Sequence, residues 1–397
     1  MGSNWECGKI GLFQIHSRRI YVKLKKKAIW FIINLIKKSN LILDKETKDQ
    51  LYRFKNDKKV SIHFVKKISK LLDIELQYFE DNIKLITSCK GTDIGIKNPK
   101  FSIDFANIYG VRLISAIMGD GEINKQINVR YNNQDKQLVA LILDSFRKVF
   151  GEVNYKIYFR QDKTYQLHFP KIVGLIILEI GLKPGYKSLI NNGIPKFIFN
   201  LNTNLKSVFV RQFFNDEGNV RLKDRRLLVK QTLRAIVSKT ELKSKPEIYA
   251  PKSLLGIKSL LSDIGITSKI SLGCYRIKDE RADWELSIYG IENLEKFNKY
   301  IGFDLGYKNK LLKNALKSYK FPSAPRNGRI SYALEKFRRV QEHHGYVTKY
   351  LLAKESRRAL KTATCFLIDL KKKGFIKEIG TLSYGRGCPI ARKYCLI

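Results

Sequence analysis

"LISAIMGDGEI", residues 113–123, is apolar for nearly two helical turns and then sets an aspartate between two glycines. The run predicts a buried helix that stops at the first glycine. A helix C-terminus carries partial negative charge, so Asp120 gains nothing from the macrodipole there and costs roughly a few tenths of a kcal/mol. Glycine after a helix is ordinary C-cap chemistry, but its usual charged neighbour is Lys or Arg. The chain holds 76 Lys+Arg against 36 Asp+Glu. A carboxylate in this place therefore calls for a cation that is not a side chain.

The bulk composition narrows the partner. At 397 residues the chain is expected to hold two to four domains, and 44% apolar residues make it globular. A net charge of +40 and a pI near 9.9 set a compact chain against itself unless a polyanion screens it. The cations are spread along the whole length and interleaved with 20 Tyr and 22 Phe. A membrane-binding chain would gather them on one amphipathic helix or tail, so nucleic acid is the expected partner and no membrane is. Cys7, Cys89, Cys274, Cys365, Cys388 and Cys395 are scattered without a CxxC, which argues against a zinc site and a disulfide scaffold. The most apolar run, "AIWFIINLI" at 28–36, is far too short to span a bilayer. A cytoplasmic protein, nucleoid-associated when bound to DNA, is expected.

The chain repeats itself. "IGLKPGYKS" at 180–188 and "IGFDLGYKN" at 301–309 share I-G-x-x-x-G-Y-K, with Gly181 and Gly302 standing 121 residues apart (302 − 181). Upstream of the second copy, "FVRQFFNDEGNV" at 209–220 has the form of the opening stretch, an apolar run and then an acid beside a glycine. Glu217 follows Asp120 by 97 residues (217 − 120), so the second copy carries 24 more residues (121 − 97), most of them around 233–251. Between these anchors both copies read as a strand, an amphipathic helix, a two-stranded ribbon and a closing helix. Two copies of one unit predict a pseudo-twofold α+β domain within a single chain, acting as a monomer.

Both motif helices are apolar nearly all round, and the simplest burial is against each other across the dyad. Ser115, Ala116 and Gly119 would let the backbones approach, whereas Gln212 needs a partner if buried. That packing brings Asp120 and Glu217 together. Two close carboxylates must protonate, separate or bind cations, and Mg²⁺ (or Mn²⁺) suits oxygen ligands completed by phosphates. The strand stretches carry Arg130 and Asn132, Arg160 and Lys163, Arg221 and Lys223, Arg225 and Lys230, and Arg276, Lys278 and Arg281. Such strands would lie in the grooves of double-stranded DNA, over metal-bound acids placed to hydrolyse one phosphodiester in each strand.

"LISAIMGDG" and "VRQFFNDEG" resemble the paired motifs of LAGLIDADG homing endonucleases, specifically the single-chain, two-repeat archaeal type. The resemblance runs through "PKFSIDFANIYGVRLISAIMGDG" at 99–121 and "IPKFIFNLNTNLKSVFVRQFFNDEG" at 194–218 and covers about 95–320. It implies a pair of αββαββα units and a site-specific endonuclease that cuts both strands. It also implies metal binding by Asp120 and Glu217, assisted by the backbone carbonyls of Gly119 and Asp216. Gln134 and Lys230, with Asn133 and Gln231 beside them, occupy roughly the places where that family uses polar or lysine residues at the ends of the first strands. Met118 and Asn215 stand where the motif's first aspartate is usual, a position that mostly supports packing, and Gln212 replaces a small residue. A free-standing protein is expected rather than an intein, because residue 1 is Met and a terminal His-Asn is lacking. A non-cleaving DNA-binding regulator on the same scaffold and an intron RNA maturase remain alternatives.

The flanks read as accessory. Residues 1–26 form an uncertain leader, and 27–90 read as four short helices resembling a repressor-type helix-turn-helix, with packing material as the bland alternative. Residues 91–104 read as a linker, 105–204 as the first repeat, 205–320 as the second and 321–330 as a second linker. Residues 331–397 resemble a winged helix, in which Lys361, Thr362 and Thr364 would start the helix facing DNA and Arg386 would tip the wing.

Overall fold

The structure, a computed structural model, describes residues 8–17, 19–39, 41–319, 328–382 and 391–397. It mixes α and β elements in two compact units, one of residues 1–289 with 296–312 and the other of 290–295 with 313–397. Among the described residues no helix is long and apolar enough to cross a membrane.

The first unit opens with β1 (Lys9–Ile10), β2 (Tyr21–Leu24), α1 (Lys26–Lys38), α2 (Lys45–Lys55), β3 (Val60–Ser61), α3 (Ile62–Leu72), α4 (Leu76–Asp81), β4 (Ile83–Thr87), β5 (Ile96–Lys97) and β6 (Ile103–Asp104). The side chains of Asp44 and Ser61 accept from the Thr47 and Phe64 amides and start α2 and α3. Four helices fall where the sequence has them, but the segment is not all helical. An antiparallel sheet runs in the order β3-β2-β4-β5-β9, and its last strand, β9 (Glu152–Val153), comes from within the first repeat. Residues 91–104, read as a linker, hold β5 and β6, and β6 pairs with β1 through Lys9 and Asp104. Strands of two residues carry no alternation for a period-2 reading to register.

The first repeat is α5 (Ile108–Met118), β7 (Gly121–Ile123), β8 (Val129–Asn133), α6 (Lys136–Phe150), the short β9, β10 (Lys156–Phe159), β11 (Tyr165–Phe169) and α7 (Lys171–Leu178). After α8 (Lys196–Phe199) the second follows as α9 (Thr203–Glu217), β12 (Gly218–Arg221), β13 (Arg226–Arg234), α10 (Lys239–Ser244), α11 (Pro246–Tyr249), α12 (Lys252–Asp263), β14 (Lys269–Arg276), β15 (Arg281–Tyr289) and α13 (Ile291–Tyr300). Helices α10 and α11 lie in the stretch that lengthens the second copy. The two four-stranded antiparallel sheets have the same layout, β10-β11-β8-β7 and β14-β15-β13-β12. Asn107, Asp135 and Asn202 cap α5, α6 and α9.

Strand alternation decides what each sheet shows to solvent. Val129, Tyr131, Leu167 and Phe169 are buried on one face of the first sheet, and Ala282, Trp284, Leu286 and Ile288 on one face of the second. Their alternates, Arg130, Asn132, Gln166, His168, Asp283 and Glu285, stand on the other, solvent-accessible face. Helices α5 and α9 pack on each other. Ser115 is wholly buried, and its hydroxyl donates to the Phe209 carbonyl across that packing at 2.7 Å. A small residue is what this close approach requires.

Helix α14 (Gly306–Lys317) follows. In the second unit α15 (Arg329–His344), α16 (Lys349–Glu355) and α17 (Leu360–Lys372) precede the antiparallel pair β16 (Ile376–Leu382) and β17 (Ala391–Leu396). Phe337, Val340, Val347, Leu352, Phe366, Leu370 and Ile376 form its core. Lys361 and Thr364 are exposed at the start of α17 and Thr362 is half-buried, while Arg386 lies outside the described residues.

Candidate active site

Helix α5 stops at Met118, and Gly119 turns the chain so that Asp120 follows. Helix α9 runs two residues further in the repeat register, to Glu217. Because the two helices touch at these ends, three carboxylates gather: Asp120, Asp216 and Glu217. A Cβ on Gly119 would stand 2.6 Å from Asp216 Oδ2. Glycine at 119 thus makes room for the Asp216 side chain from the other repeat. The sequence pointed to the Asp216 carbonyl; the structure puts its side chain in the middle of the cluster.

The partners of each acid differ between the copies. Asn133 Nδ2 donates to Asp120 Oδ2 at 2.7 Å. The buried Tyr131 hydroxyl donates to Asp216 Oδ1 at 2.9 Å, and Gln212 Nε2 donates to both Asp216 oxygens at 3.0 and 3.1 Å. Gln212 therefore has the partner its burial demands, although its Oε1 has none among the described residues. Asn215 is also buried and exchanges hydrogen bonds with Asp304, donating to Oδ2 at 2.8 Å and accepting from the amide at 3.1 Å. Met118 is core. The Glu217 side chain forms no hydrogen bond among the described residues, and Gln231, the register counterpart of Asn133, accepts from Ser253.

Two lysines complete the cluster, and both come from the repeated G-Y-K. Lys308 Nζ donates to the carbonyls of Phe214, Asn215 and Gly218 at 3.1, 2.6 and 2.6 Å, closing the C-terminus of α9. Among the described residues Lys187 makes no such bonds; its side chain lines a cavity of about 320 Å³ shared with Glu217, Glu122, Lys230 and Gln231. A second cavity of about 590 Å³ holds Asp120, Asn133, Gln134, Asp216, Tyr307 and Lys308. The arrangement is crossed: each acid sits with the strand end of its own repeat and the lysine of the other. The repeated I-G-x-x-x-G-Y-K held the signal for these lysines, read in the sequence only as a marker of duplication.

Electrostatics agree with the crowding. Burial raises the Asp120 pKa, opposed by Lys187, Lys308 and the Asn133 hydrogen bond. Burial and the Asp120 charge hold Asp216 well above the carboxylate range. Burial, and then Asp120, raise Glu217 against the pull of Lys187. Burial lowers the pKa of both Lys187 and Lys308, although the acids pull the other way. Among the described residues no group of three or more His, Cys, Asp or Glu side chains is arranged to hold a metal by itself. A hard cation there would take much of its oxygen shell from carbonyls, water and phosphate, the pattern of Mg²⁺.

A raised Asp216 pKa has a consequence for stability. Between the ordinary carboxylate pKa and its own, the folded protein holds a proton that the unfolded chain has released. Stability therefore falls as pH rises through that window. Asp216→Asn is expected to be more stable than the parent above the window, by about 0.5–2 kcal/mol as for other relieved functional sites. Below the ordinary carboxylate pKa the two should melt alike. Thermal melts across pH, without metal, measure the crossover; a constant offset at every pH would remove the electrostatic explanation.

The remaining sequence candidates fall into four places. Arg130 and Asn132 stand on the accessible face of the first sheet, Arg130 paired with Glu122 at 3.2 Å. Gln134 donates to the Asp162 carbonyl at 3.2 Å on the wall of the second cavity. Arg221, Lys230, Arg276 and Arg281 lie in the strands of the second sheet. Arg160, Lys163, Lys223, Arg225 and Lys278 occupy exposed turns between strands, away from the acids' cavities.

No family model matches the chain. It is 26% identical to the "Probable translation initiation factor IF-2" of Methanocaldococcus jannaschii across 94% of this chain and 31% of that protein. It is 23% identical to the isomerizing glutamine–fructose-6-phosphate aminotransferase of the same organism across 53% of this chain and 18% of that protein. The chain spans less than a third of the length of either relative. Among solved structures, a mesophilic variant of the homing endonuclease I-DmoI aligns with 50% of this chain and 97% of its own, at 16% identity and a TM-score of 0.33. Full-length DUF199/WhiA of Thermatoga maritima aligns with 68% and 92%, at 12% identity and a TM-score of 0.34.

Proposed function

We propose that this chain is a divalent-metal-dependent endonuclease that cuts both strands of a DNA duplex, with one reaction centre around Asp120 and the other around Glu217. The observation that carries the reading is the crossed pairing of acids and lysines, because it makes two like sites from one duplicated unit. Names as different as a translation factor and an aminotransferase describe no shared chemistry, so the reading rests on this chain's own residues. Asp120 and Glu217, with the carbonyls of Gly119 and Asp216, would hold Mg²⁺ or Mn²⁺. Such an ion, when bound, activates water and stabilises the leaving oxygen of a phosphodiester. Asn133 orients the Asp120 carboxylate, Lys187 would place its ammonium beside Glu217, and Lys308 fixes the end of α9 that presents Glu217. The cations of the two sheet faces would neutralise phosphates, so binding should weaken steeply with salt. The three helices and strand pair of the second unit would act as a winged-helix accessory, presenting Lys361 and Thr364 to the same DNA.

The test has two readouts. Duplexes enriched from a randomised library by binding in EDTA are incubated with Mg²⁺, and Mn²⁺ binding is followed separately by electron paramagnetic resonance. Wild type is expected to bind Mn²⁺ and cut both strands. Asp120→Asn and Glu217→Gln should keep DNA binding, bind less Mn²⁺ and lose cutting of one or both strands by about 10²-fold or more. A wild type that binds DNA but neither takes up Mn²⁺ nor cuts would be a regulator, and the proposal would fail.

A further inference from the structure

The accessible face of the second sheet carries carboxylates where a polyanion-binding surface has no electrostatic use for them. Asp283 and Glu285 alternate along β15 with the fully buried Ala282, Trp284 and Leu286 and so share the other face. Glu285 stands opposite Lys230 in the register with β13, with Oε1 3.0 Å from its ammonium and Oε2 3.8 Å from Arg226. Asp283 stands opposite Thr232, accepts its hydroxyl at 2.6 Å, and pairs on its other side with Arg276 of β14 at 3.0 Å. The two acids thus tie three neighbouring strands together through their cations. The first sheet is built differently. Beyond the Glu122–Arg130 pair, its face holds a neutral chain in which Gln166 donates to Asn132 at 2.8 Å and meets His168 at 2.7 Å.

In a chain of net charge +40, each carboxylate on this face weakens the attraction to every phosphate, so affinity is not what it serves. Order is. A long cation that must be fixed on binding loses rotamer freedom at that moment, whereas one already tied to a carboxylate has lost it beforehand. A fixed donor also discriminates between base edges better than one free to swing to the nearest phosphate, and a carboxylate lone pair is itself an acceptor for the cytosine amine.

Resting on the DNA-cutting reading above, we infer that Asp283 and Glu285 are positioning residues for base recognition. They hold Arg276 and Lys230 in set directions, so that the half of the target under the second repeat is read by cations ordered before binding.

The test measures sequence preference and needs no cutting. Wild type, Asp283→Asn, Glu285→Gln and Lys230→Met each enrich duplexes from one randomised library in EDTA, after melting curves establish that each is folded. Wild type is expected to enrich a defined motif. Glu285→Gln and Lys230→Met should lose preference at the same base pair, and Asp283→Asn at a neighbouring one. Both acid-to-amide variants should bind unselected duplex roughly three- to tenfold tighter, with a steeper salt dependence. Variants that enrich the wild-type motif unchanged would overturn the inference while leaving DNA binding intact. A wild type that enriches no motif would overturn the DNA reading and this inference with it. Should Glu285→Gln not fold, the exposed Lys230→Met decides: an unchanged motif overturns the inference, and a single lost position supports it.

Discussion

Lys308→Met is expected to destabilise the first unit by about 3–5 kcal/mol, the cost of breaking a buried charged contact from one side. Lys308 is 7% exposed, and its ammonium gives all three of its protons to carbonyls at the end of α9. A methionine fills much the same volume but donates nothing. Three carbonyls are left facing an apolar side chain, and three nearby carboxylates lose a neutralising charge. Lys187→Met gives the contrast. Among the described residues its ammonium holds no carbonyl, and its side chain lines a cavity, so the melting temperature should move much less. Cutting should instead fall by about 10²-fold, the usual contribution of a positioned proton donor or acceptor. Thermal melts and single-turnover cutting on one enriched duplex separate the two. Equal destabilisation by both substitutions would show that the lysines play one structural role.

The second large effect concerns the helix contact itself. Gly119→Ala places a methyl 2.6 Å from Asp216 Oδ2 and 2.8 Å from Asp216 Cβ. The carboxylate can swing aside, but the Cβ is fixed to α9, so the two helices must separate. About 1–3 kcal/mol is expected for such overpacking. The double-mutant cycle carries the specific prediction. Asp216→Gly removes both close atoms and should recover most of the loss in the Gly119→Ala background, relative to Asp216→Gly alone. Asp216→Ala keeps the Cβ and should recover little. Urea denaturation of the four proteins gives a coupling of about 1–2 kcal/mol if the residues touch across the dyad. Additive effects would mean that they do not.

Much of this was legible because it is local or repeated. Apolar runs ending at glycine predicted α5 and α9, and alternation predicted the strands that follow. Two acids at matching positions of two copies pointed to one place in space before any coordinates. The sheet to which β5 and β9 belong was not legible, since pairs of two residues leave no period. Nor was the role of Asp216 visible, because a side chain crossing to another repeat leaves no mark on its own neighbours except a glycine 97 positions earlier.

Composition and duplication by themselves determined a basic chain with a doubled α+β unit and one acid per copy at a helix end. Only the tertiary structure decided that the copies are chemically unequal. Asn133 holds Asp120 while Gln231 turns to Ser253, and Lys308 is locked on carbonyls while Lys187 lines a cavity beside Glu217. Equal motifs can acquire unequal partners because hydrogen bonds are made between residues distant in the chain. Sequence spacing fixes which residues lie on one face of an element, and packing alone fixes what that face meets.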